Sequence, residues 1–283
     1  MKKIRIRVPA KINYTLEVLD KRFDGFHNIQ SIMQTINLYD YLCLTYKDSC
    51  AAEIHLSGNS TEIPYDSSNI VYKAALKFFD SIHKSTYNLH VDIEKNIPVS
   101  AGLAGGSSDA AGIIFGLNKI WGDILREEEI DKLCASLGSD LNFCLKGGCA
   151  LCTSRGEVIT KLPYLKQKVS LIKPRNIGIS AKEAYTKFSL LEDKTNPDNT
   201  HKLLQLLLKG KFDKTLLYNS LEKAVINDYE ELKFIKDKVK NSVMSGSGSV
   251  FFVLSDNVQY SFNKESYFVI ENLETINSGV EEI

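Results

Sequence analysis

The sequence predicts a two-lobed α+β fold, and three observations support this prediction. Helix-like and strand-like segments mix irregularly along the 283 residues, unlike the strict strand–helix repeat of a doubly wound parallel sheet. The least structured segment, Lys161–Lys168, separates a first lobe of residues 1–163 from a second lobe of residues 164–283. Within the first lobe, a strand, a glycine-rich loop and a helix follow one another directly.

In the first lobe, strands are predicted where apolar and polar residues alternate, as Ile4, Ile6 and Val8 do with their basic neighbours. They are expected over residues 3–19 with an interruption at Pro9-Ala10, over residues 29–38, 41–46 and 89–94, and in a hairpin over residues 149–162 that turns at Ser154-Arg155-Gly156. Apolar residues at helical spacing predict helices over residues 69–83, 110–121 and 127–137, the last ending at Gly138.

The second lobe is predicted to combine the same two kinds of element. Strands are expected over residues 169–173, 250–254 and 267–270, and helices over residues 182–188, 202–208, 216–225 and 229–239. No internal repeat and no low-complexity segment interrupts either lobe of the sequence.

Composition and charge restrict the classes of function. Apolar residues make up 43% and charged residues 25%, which is typical of a globular protein with a large core. The 35 basic and 35 acidic residues cancel, so no global positive field attracts nucleic acid or an acidic membrane. No apolar run approaches the ~20 residues of a membrane span, and the alternating residues 3–8 differ from a signal peptide. We expect a cytoplasmic protein that binds neither nucleic acid nor a membrane, as a monomer or a homodimer.

The six cysteines do not form the pattern of a disulfide framework in a chain of this length. Cys149 and Cys152 have CxxC spacing, but no second pair and no suitably spaced histidine accompanies them. Buried reduced thiols in a strand are therefore preferred over a zinc site or a redox pair.

The most informative segment is the glycine-rich loop in Ile97–Ala111. Its three glycines let the backbone adopt positive φ and approach a ligand closely. We expect the next helix to begin at Ser107-Ser108-Asp109, which are good N-caps, so that its free amide groups and its dipole favour a phosphate. The loop lacks the lysine of a Walker A motif and the spacing of a dinucleotide fingerprint. A tight turn that only caps a buried helix is the alternative.

Two further segments combine small and polar residues. In Pro9-Ala10-Lys11-Ile12-Asn13, an extended chain places Lys11 and Asn13 on the same side, although a solvated lysine at a strand end has the same pattern. Val243–Val250 contains the run Ser245-Gly246-Ser247-Gly248-Ser249 before a predicted strand, although a plain hairpin turn would explain it as well.

These three segments, in this order, resemble the three motifs of the GHMP kinases, named after galactokinase, homoserine kinase, mevalonate kinase and phosphomevalonate kinase. Pro9–Asn13 resembles PAKIN, Ile97–Ala111 resembles the phosphate loop IPxxAGLGGGSSxAA, and Met244–Val250 resembles the MSGSG turn. Leu137–Asp140 resembles LGSD. Asp24–His27 resembles DGYH, which is typical of the branch that phosphorylates 4-diphosphocytidyl-2-C-methyl-D-erythritol in non-mevalonate isoprenoid biosynthesis. The resemblance covers most of the chain.

Phe26 stands in place of the tyrosine of DGYH, and the chain departs from these patterns at three further places. Ala104 stands where a glycine is usual in the loop, Asp109 where asparagine is common, and Ser154 where the first glycine of Gly-x-Gly-Glu is usual. None of these changes removes a residue on which the implied chemistry depends. Whether the neighbouring Arg155 touches a ligand or only closes a hairpin stays open.

The resemblance implies a first lobe similar to domain 2 of ribosomal protein S5 and a ferredoxin-like second lobe. It implies phosphoryl transfer from ATP, with Mg²⁺, to the 2-hydroxyl of a cytidine diphosphate polyol. It assigns Asp140 as the base that takes the hydroxyl proton, and Lys11 as the cation beside the transferred group. Without the resemblance, Asp140 is as well explained as a helix N-cap.

The implied ATP-binding residues are Asn69, Pro98, Val99, Ser100, Ala101, Gly102, Leu103, Ala104, Gly105, Gly106, Ser107 and Ser108, and Lys95 is a further candidate for ATP binding. The hydroxyl of Ser107 or Ser108 is a candidate Mg²⁺ contact, and no further protein ligand for the metal is assigned.

The implied substrate-binding residues are Asn13, Phe26, His27, Tyr185, Gly246 and Ser247. Phe26 and Tyr185 offer aromatic faces to a cytosine ring, and His27 offers an edge contact. An aromatic residue at a strand end is, however, more often part of a core. Two other functions stay open, namely a GHMP kinase for a different small molecule and an inactive homologue that only binds nucleotide.

Overall fold

The computed structural model describes residues 1–255 and 261–283. Its strands are β1 Lys2–Lys21, β2 His27–Lys47, β3 Ala52–Gly58, β4 Tyr87–Glu94, β5 Cys149–Ser154, β6 Val158–Lys161, β7 Lys168–Pro174, β8 Tyr218–Asn219, β9 Val243–Met244, β10 Phe251–Val253, β11 Tyr267–Glu274 and β12 Glu281–Glu282. Its α-helices are α1 Ile70–Ser81, α2 Gly105–Ile120, α3 Glu127–Leu137, α4 Leu141–Lys146, α5 Ala181–Ser189, α6 Asn199–Leu207, α7 Ser220–Val225 and α8 Glu230–Lys238. None of these helices is long and apolar enough to cross a membrane.

The larger sheet has eight strands, with β1 and β2 at its centre. Five strands follow the order β12-β1-β2-β4-β3, while β5 also pairs with β2, β6 with β5, and β8 with β1. The pairing of β1 is antiparallel with β2 and β12, and parallel with β8. The alternation in the sequence places Ile4, Ile6 and Val8 in a core shared with α1 and α2.

The smaller sheet has the order β11-β7-β10-β9 and is antiparallel throughout. Strand β7 lies in its interior, and its residues from Val169 to Pro174 are buried. Apolar residues of α5, α7 and α8, such as Phe188, Leu221 and Ile235, pack in one cluster with Ile172 and other residues of this sheet.

Most predicted elements are present, and the differences have local causes. Strand β1 runs through Pro9, where its pairing with β2 shifts register, so the predicted interruption is an irregularity within one strand. Helix α3 ends at Gly138 as predicted. The predicted helix 216–225 is wrong in its first half, because residues 218–219 pair with β1 before α7 begins. Strand β3 was not predicted, since its residues are mostly exposed and show no buried face.

The two sheets correspond to the two predicted lobes, with two exceptions. All four strands of the smaller sheet follow residue 163, but so do β8 and β12, which pair with β1 in the larger sheet. The segment before β12 also joins the first lobe, since the hydroxyl of Thr35 donates to the carbonyl of Ser278 at 2.9 Å. The amide of Gln34 donates to the carbonyl of Ile276 at 2.7 Å. The division at residue 163 therefore stays a prediction.

The close approach of α2 to the sheet at Gly112 predicts that a methyl group is not tolerated there. A Cβ on Gly112 would lie 2.6 Å from Cγ1 of Val8 and 2.7 Å from Cδ1 of Leu42, both fully buried. Overpacking costs about 1–3 kcal/mol, more than the ~1 kcal/mol by which alanine favours a helix over glycine. We expect Gly112→Ala to lower the free energy of unfolding by up to about 2 kcal/mol in a urea titration.

Gly106→Ala, in the first turn of the same helix, is the matched control for this substitution. Its Cβ would meet only Cγ2 of Ile70, at 3.7 Å, so no loss of stability is expected. A Gly112→Ala protein as stable as the wild type would contradict the packing at this crossing.

Candidate active site

One cavity of about 1090 Å³ collects the predicted site residues. Its wall includes the glycine loop, Lys11 on β1, Asp140 before α4 and Gly246 after β9. All the residues that the resemblance assigned to a site line this cavity, with the exception of Ser108. This volume is slightly above the usual 300–1,000 Å³ of a site for one small molecule, so the cavity has room for two ligands side by side.

The glycine loop owes its shape to three residues with positive φ. Ser100, Gly102 and Ala104 have φ values of 50°, 75° and 59°. Ala104 is the N-cap of α2, so a residue with a Cβ holds a left-handed conformation at a cost of about 1–2 kcal/mol. The amide groups of Gly105–Ser107 follow directly and have no acceptor within the helix. Because these residues line the cavity, the start of this 16-residue helix is suited to an anion.

The predicted helix start at Ser107-Ser108-Asp109 is wrong, and the earlier start of α2 gives Ser108 a structural role. Because α2 begins at Gly105, the N–H of Ser108 already donates to the carbonyl of Ala104 at 2.9 Å. Its hydroxyl donates to the carbonyl of Pro9 at 2.7 Å, and the residue is fully buried. With both donors used inside the protein, Ser108 is not available to ATP or Mg²⁺, whereas Ser107 lines the cavity.

The loop and the turn Ser245–Ser249 touch at Gly102. A Cβ on Gly102 would lie 1.9 Å from the carbonyl oxygen of Ser245, so only glycine permits this approach. The hydroxyl of Ser245 donates to the carbonyl of Gly102 at 2.9 Å, and the N–H of Val250 donates to the carbonyl of Ala101 at 3.2 Å. These contacts fix a turn of the second lobe onto the loop of the first.

Lys11 is a buried cation whose neighbours come from three segments of the chain. Its side chain is only 3% exposed, and Nζ donates to Oδ1 of Asn13 at 2.7 Å and to the carbonyl of Gly102 at 3.0 Å. Nζ lies 3.8 Å from Oδ2 of Asp140. An ammonium group has three N–H donors, so one remains for a ligand in the cavity. The fold thus brings Lys11 and Asp140 together, although they lie far apart in the sequence.

Asp140 occupies the N-cap position of α4 without capping it. Its side chain accepts no capping hydrogen bond from that helix, and 30% of it is exposed. The carboxylate therefore has access to the cavity while it lies beside the ammonium of Lys11. This geometry supports a proton acceptor and not the alternative of a structural N-cap.

Asn13 uses most of its amide to hold its neighbours. Its Oδ1 accepts from Nζ of Lys11 and from the N–H of Gly246, the latter at 2.9 Å. Its Nδ2 donates to Oγ of Ser31 at 2.8 Å, and the residue is 1% exposed. Asn13 lines the cavity, but its main contacts orient Lys11 and the turn that contains Gly246.

Lys95 lies between two buried carboxylates behind the glycine loop. Its Nζ donates to Oδ2 of Asp109 at 2.7 Å and to Oδ2 of Asp40. The other oxygen of Asp40 accepts from the N–H groups of Asn96 and Ile97 at 2.6 and 2.7 Å. Lys95 therefore ties together the two flanks of the loop, and its charge is already matched before any nucleotide phosphate arrives.

The second predicted nucleotide residue outside the loop, Asn69, caps α1. Its Oδ1 accepts from the N–H of Val71 at 2.8 Å, and its Nδ2 donates to the carbonyl of Pro64 at 2.6 Å. Asn69 and Pro64 both line the cavity, so this cap shapes the wall beside the glycine loop.

Aromatic side chains line the cavity at the β1–β2 turn and on α5. The ring of His27 stacks on Tyr185, with centroids 5.5 Å apart and planes 21° apart, and its Nε2 lies 3.3 Å from Oγ of Ser189. Phe26 is half exposed, and the guanidinium of Arg155 lies 5.0 Å from its ring centroid. The two predicted platforms are therefore not a free pair of facing rings. One face of Tyr185 is covered by His27, and one face of Phe26 is covered by the guanidinium of Arg155.

His27 is neutral near pH 7 in this environment. Burial, assisted by the positive charges of Lys21 and Lys194, lowers the pKa of its imidazole. A neutral imidazole offers one donor and one acceptor, which suits an edge contact with a base. Burial, together with the charge of Asp140, raises the pKa of Tyr185, which therefore keeps its hydroxyl proton.

Arg155 both closes the β5–β6 hairpin and reaches the cavity. A guanidinium NH₂ group donates to the carbonyl of Ala135 at 3.3 Å, and Nε lies 3.5 Å from Oε1 of Glu157. Arg155 also lines the cavity beside Phe26. The structure thus shows the contacts of Arg155 within the protein and its access to the cavity, while its contact with a ligand stays a prediction.

Sequence reasoning missed two residues that hold the site, Asp40 and Asn219. Asp40 lies between the predicted strands 29–38 and 41–46, and nothing in the sequence indicates its contacts with Lys95 and the backbone of the loop. Asn219 caps α7 three residues before Glu222, a pattern that marks a helix start and could have corrected the predicted helix 216–225.

Cys149 and Cys152 are free, buried thiols. Burial raises the pKa of Cys149 to about 12, so it carries a thiol and not a thiolate at neutral pH. Among residues 1–255 and 261–283, no group of three His, Cys, Asp or Glu side chains is arranged to hold a metal ion.

The buried carboxyl of Asp109 predicts a stability that depends on pH. Burial and the charge of Asp40 raise its pKa from 3.8 to about 7, despite the opposing ammonium of Lys95. Above about pH 4 the unfolded chain releases a proton that the folded protein retains. Relative to Asp109→Asn, the wild type should therefore lose stability from about pH 4 to about pH 7, with a constant difference at higher pH. Denaturant titrations across this range measure it.

Asp237→Asn, on the exposed side of α8, is the control and should give no such trend, since its partner Lys240 is also exposed. A pH-independent difference between Asp109→Asn and the wild type would contradict the burial of an ionisable carboxyl at this position.

Comparison with known proteins identifies relatives of this chain. The model of the GHMP kinase N-terminal domain matches residues 69–148. Proteins named 4-diphosphocytidyl-2-C-methyl-D-erythritol kinase are similar over most of the chain. The protein from Clostridium beijerinckii is 36% identical over 90% of this chain and 92% of its own length. The protein from Clostridioides difficile is 39% identical over 90% of this chain and 87% of its own length.

Solved structures show the same similarity in three dimensions. A crystal structure of 4-(cytidine 5'-diphospho)-2C-methyl-D-erythritol kinase matches with a TM-score of 0.69 at 25% identity, over 89% of this chain and 90% of its own. A homoserine kinase from Cytophaga hutchinsonii matches with a TM-score of 0.75, over 100% of this chain and 98% of its own. Because the two sequences are only 17% identical, this match shows that the fold is shared and nothing more.

Proposed function

The chain belongs to the GHMP kinases and, among them, to the family of 4-diphosphocytidyl-2-C-methyl-D-erythritol kinases, and from this membership we propose that it transfers the γ-phosphoryl group of ATP to the 2-hydroxyl of that cytidyl polyol. The observation that carries the proposal is the position of Asp140, 3.8 Å from the buried ammonium of Lys11 and on the same cavity as the glycine loop.

Phosphoryl transfer requires mainly that charge be neutralised and that the reacting groups be aligned. In this proposal the phosphates of ATP lie along the glycine loop, against the free amide groups of Gly105–Ser107 at the start of α2. Lys95 holds both flanks of the loop through Asp40 and Asp109, so the amide groups are in place before ATP binds. The positive end of the helix is then fixed and does not reorganise during the reaction.

Proton removal from the acceptor hydroxyl is assigned to Asp140. An ionised carboxylate is a weak base, so it accepts the proton late, when the attacking oxygen already bonds to phosphorus. Lys11 directs two of its three donors to Asn13 and Gly102, and the third can stabilise the charge that develops on the transferred group. The pair therefore combines a proton acceptor with an adjacent fixed cation.

Mg²⁺ accompanies ATP in this proposal. The cavity offers the hydroxyl of Ser107 as an oxygen donor of the type that Mg²⁺ prefers, while phosphates and water would complete the coordination. When bound, the ion would neutralise charge on the phosphates.

We also propose that the protein acts in the cytoplasm on the cytidyl polyol alone, without nucleic acid or a membrane, as a monomer or a homodimer.

Recognition of the cytosine base is assigned to Phe26, His27 and Tyr185. Phe26 offers the ring face opposite Arg155, and the neutral His27 offers a donor and an acceptor from a position fixed by Tyr185 and Ser189. Gly246 and Ser247 form part of the wall of the cavity. The hydroxyl of Ser247 already donates to the carbonyl of Ile179 at 3.2 Å, so Ser247 is expected to contact the substrate through its backbone.

An assay of ADP release tests this function. With ATP and Mg²⁺, we expect turnover of 4-diphosphocytidyl-2-C-methyl-D-erythritol and none of homoserine, mevalonate or galactose. Asp140→Asn keeps the shape of the side chain but removes the base, so kcat should fall by about 10²–10⁴-fold while ATP still binds.

The outcomes separate the competing functions. Turnover of homoserine or mevalonate instead would keep the fold and the Lys11–Asp140 pair but reject the assignment of the base-binding residues. ATP binding without turnover of any of the four alcohols would indicate an inactive nucleotide-binding homologue.

The contact between Arg155 and Phe26 predicts a specific defect in substrate affinity. A cation–π contact at a partly exposed ring contributes about 0.5–2 kcal/mol, so Arg155→Ala should raise KM for the cytidyl substrate roughly 2- to 30-fold. KM for ATP should stay unchanged, because Arg155 lies beside Phe26 and not in the glycine loop. Steady-state kinetics with each substrate varied in turn measure this difference.

Arg175→Ala is the matched control, because Arg175 lies 3.6 Å from the ring centroid of Phe268 and neither residue lines the cavity. Equal effects of Arg155→Ala on both KM values would reject the role of Arg155 at the base.

A further inference from the structure

Asn219 lies outside the cavity, yet its hydrogen bonds lead to the catalytic pair. It is 3% exposed, it forms β8 with Tyr218, and it pairs with Leu16 on β1. Its Nδ2 donates to the carbonyl of Met244 at 2.6 Å and to the carbonyl of Gly246 at 2.8 Å. Its Oδ1 accepts from the N–H of Leu221 at 2.8 Å, which caps α7. All the hydrogen-bonding atoms of this side chain are thus engaged at short range.

The peptide groups of Gly246 connect Asn219 to Lys11. While the carbonyl of Gly246 accepts from Asn219, its N–H donates to Oδ1 of Asn13 at 2.9 Å. The same Oδ1 accepts from Nζ of Lys11 at 2.7 Å. A continuous series of hydrogen bonds therefore runs from α7 in the second lobe to the ammonium beside Asp140.

From this series we infer that Asn219 is a positioning residue, which sets the place of the Lys11 ammonium through Gly246 and Asn13. Gly246 has a left-handed φ of 53°, and asparagine side chains hold both of its backbone polar groups, Asn219 at the carbonyl and Asn13 at the N–H. Without the two donors of Asn219, the carbonyls of Met244 and Gly246 would be buried without these partners, and the turn would shift to recover them. Asn13 would follow the turn, and Lys11 would follow Asn13.

Asparagine fits this role better than its closest relatives in shape. Aspartate has the same length and can cap α7, but it has no donor and would place oxygen atoms against two carbonyls. Serine can also cap the helix, but it lacks the two amide hydrogens that reach Met244 and Gly246. Both substitutions therefore retain the cap and remove the connection to Lys11.

The test compares Asn219→Ser and Asn219→Asp with Ser220→Ala. Ser220 is fully buried, and its hydroxyl accepts from the N–H of Val18 at 3.2 Å and donates to Oδ1 of Asn196 at 2.7 Å. Ser220→Ala therefore removes two buried hydrogen bonds from the same helix but leaves the hydrogen bonds that lead to Lys11 intact. Folding is checked by circular dichroism, and kcat and both KM values are measured with ATP and the cytidyl substrate.

We expect the Asn219 variants to lower kcat about 10- to 100-fold, as for a reacting group displaced by about 1 Å, with both KM values within about threefold of the wild type. Ser220→Ala should leave kcat unchanged. In a Lys11→Met background, Asn219→Ser should cause no further loss, because the residue through which it acts is absent. A residue with a purely structural role would add its effect to that of Lys11→Met.

This inference rests on the proposed roles of Lys11 and Asp140, and the two can fail separately. If Lys11→Met and Asp140→Asn turn over as fast as the wild type, the proposed mechanism is rejected. If both lose activity but the Asn219 variants behave like Ser220→Ala, or add to Lys11→Met, only the role of Asn219 is rejected. It is also rejected if neither Asn219 variant folds while Ser220→Ala does, since Asn219 would then serve the fold.

Discussion

The arrangement of the site depends on the burial of a single ammonium group, that of Lys11. A cation removed from water is stable only when its donors meet acceptors and a negative charge lies near. Lys11 finds these in Asn13 on its own strand, in the carbonyl of Gly102 on the loop, and in Asp140 before α4. Because the three partners belong to separate segments, the burial of one side chain requires that all three be fixed at once.

Close backbone contact between two turns makes this possible. Gly102 lies against Ser245 at a distance that no side chain permits, and the two turns exchange hydrogen bonds through their backbones and the Ser245 hydroxyl. The two turns, which both contribute to the wall of the cavity, are therefore joined by direct backbone contact. In the proposed mechanism, affinity for phosphates arises from the amide groups of the loop, because the nearby ammonium of Lys95 is already paired with Asp40 and Asp109.

Much of the fold could be predicted because local signals agree with the final structure. The acidic first turn and final glycine define α3, and alternation defines β4. Lys11 and Asp140 could be paired only through a resemblance, since no local pattern joins them. Ser108 was misplaced because serine is a good N-cap, yet the left-handed Ala104 starts the helix earlier. The contacts of Asn219 and Asp40 were beyond sequence reasoning, because each depends on backbone groups brought near by tertiary packing.

Strand β1, which carries Lys11, is bordered by segments from late in the chain. Its pairing with β8 and β12 joins Thr15 to Tyr218 and Ile6 to Glu282. Such pairings give the fold a high contact order, and the entropy of closing these long loops must be overcome before the strands contribute to stability. Until then one edge of β1 exposes unpaired backbone groups, which can pair with another chain. Strand β1, on which Lys11 lies, therefore has an edge that can pair with another chain while the protein folds.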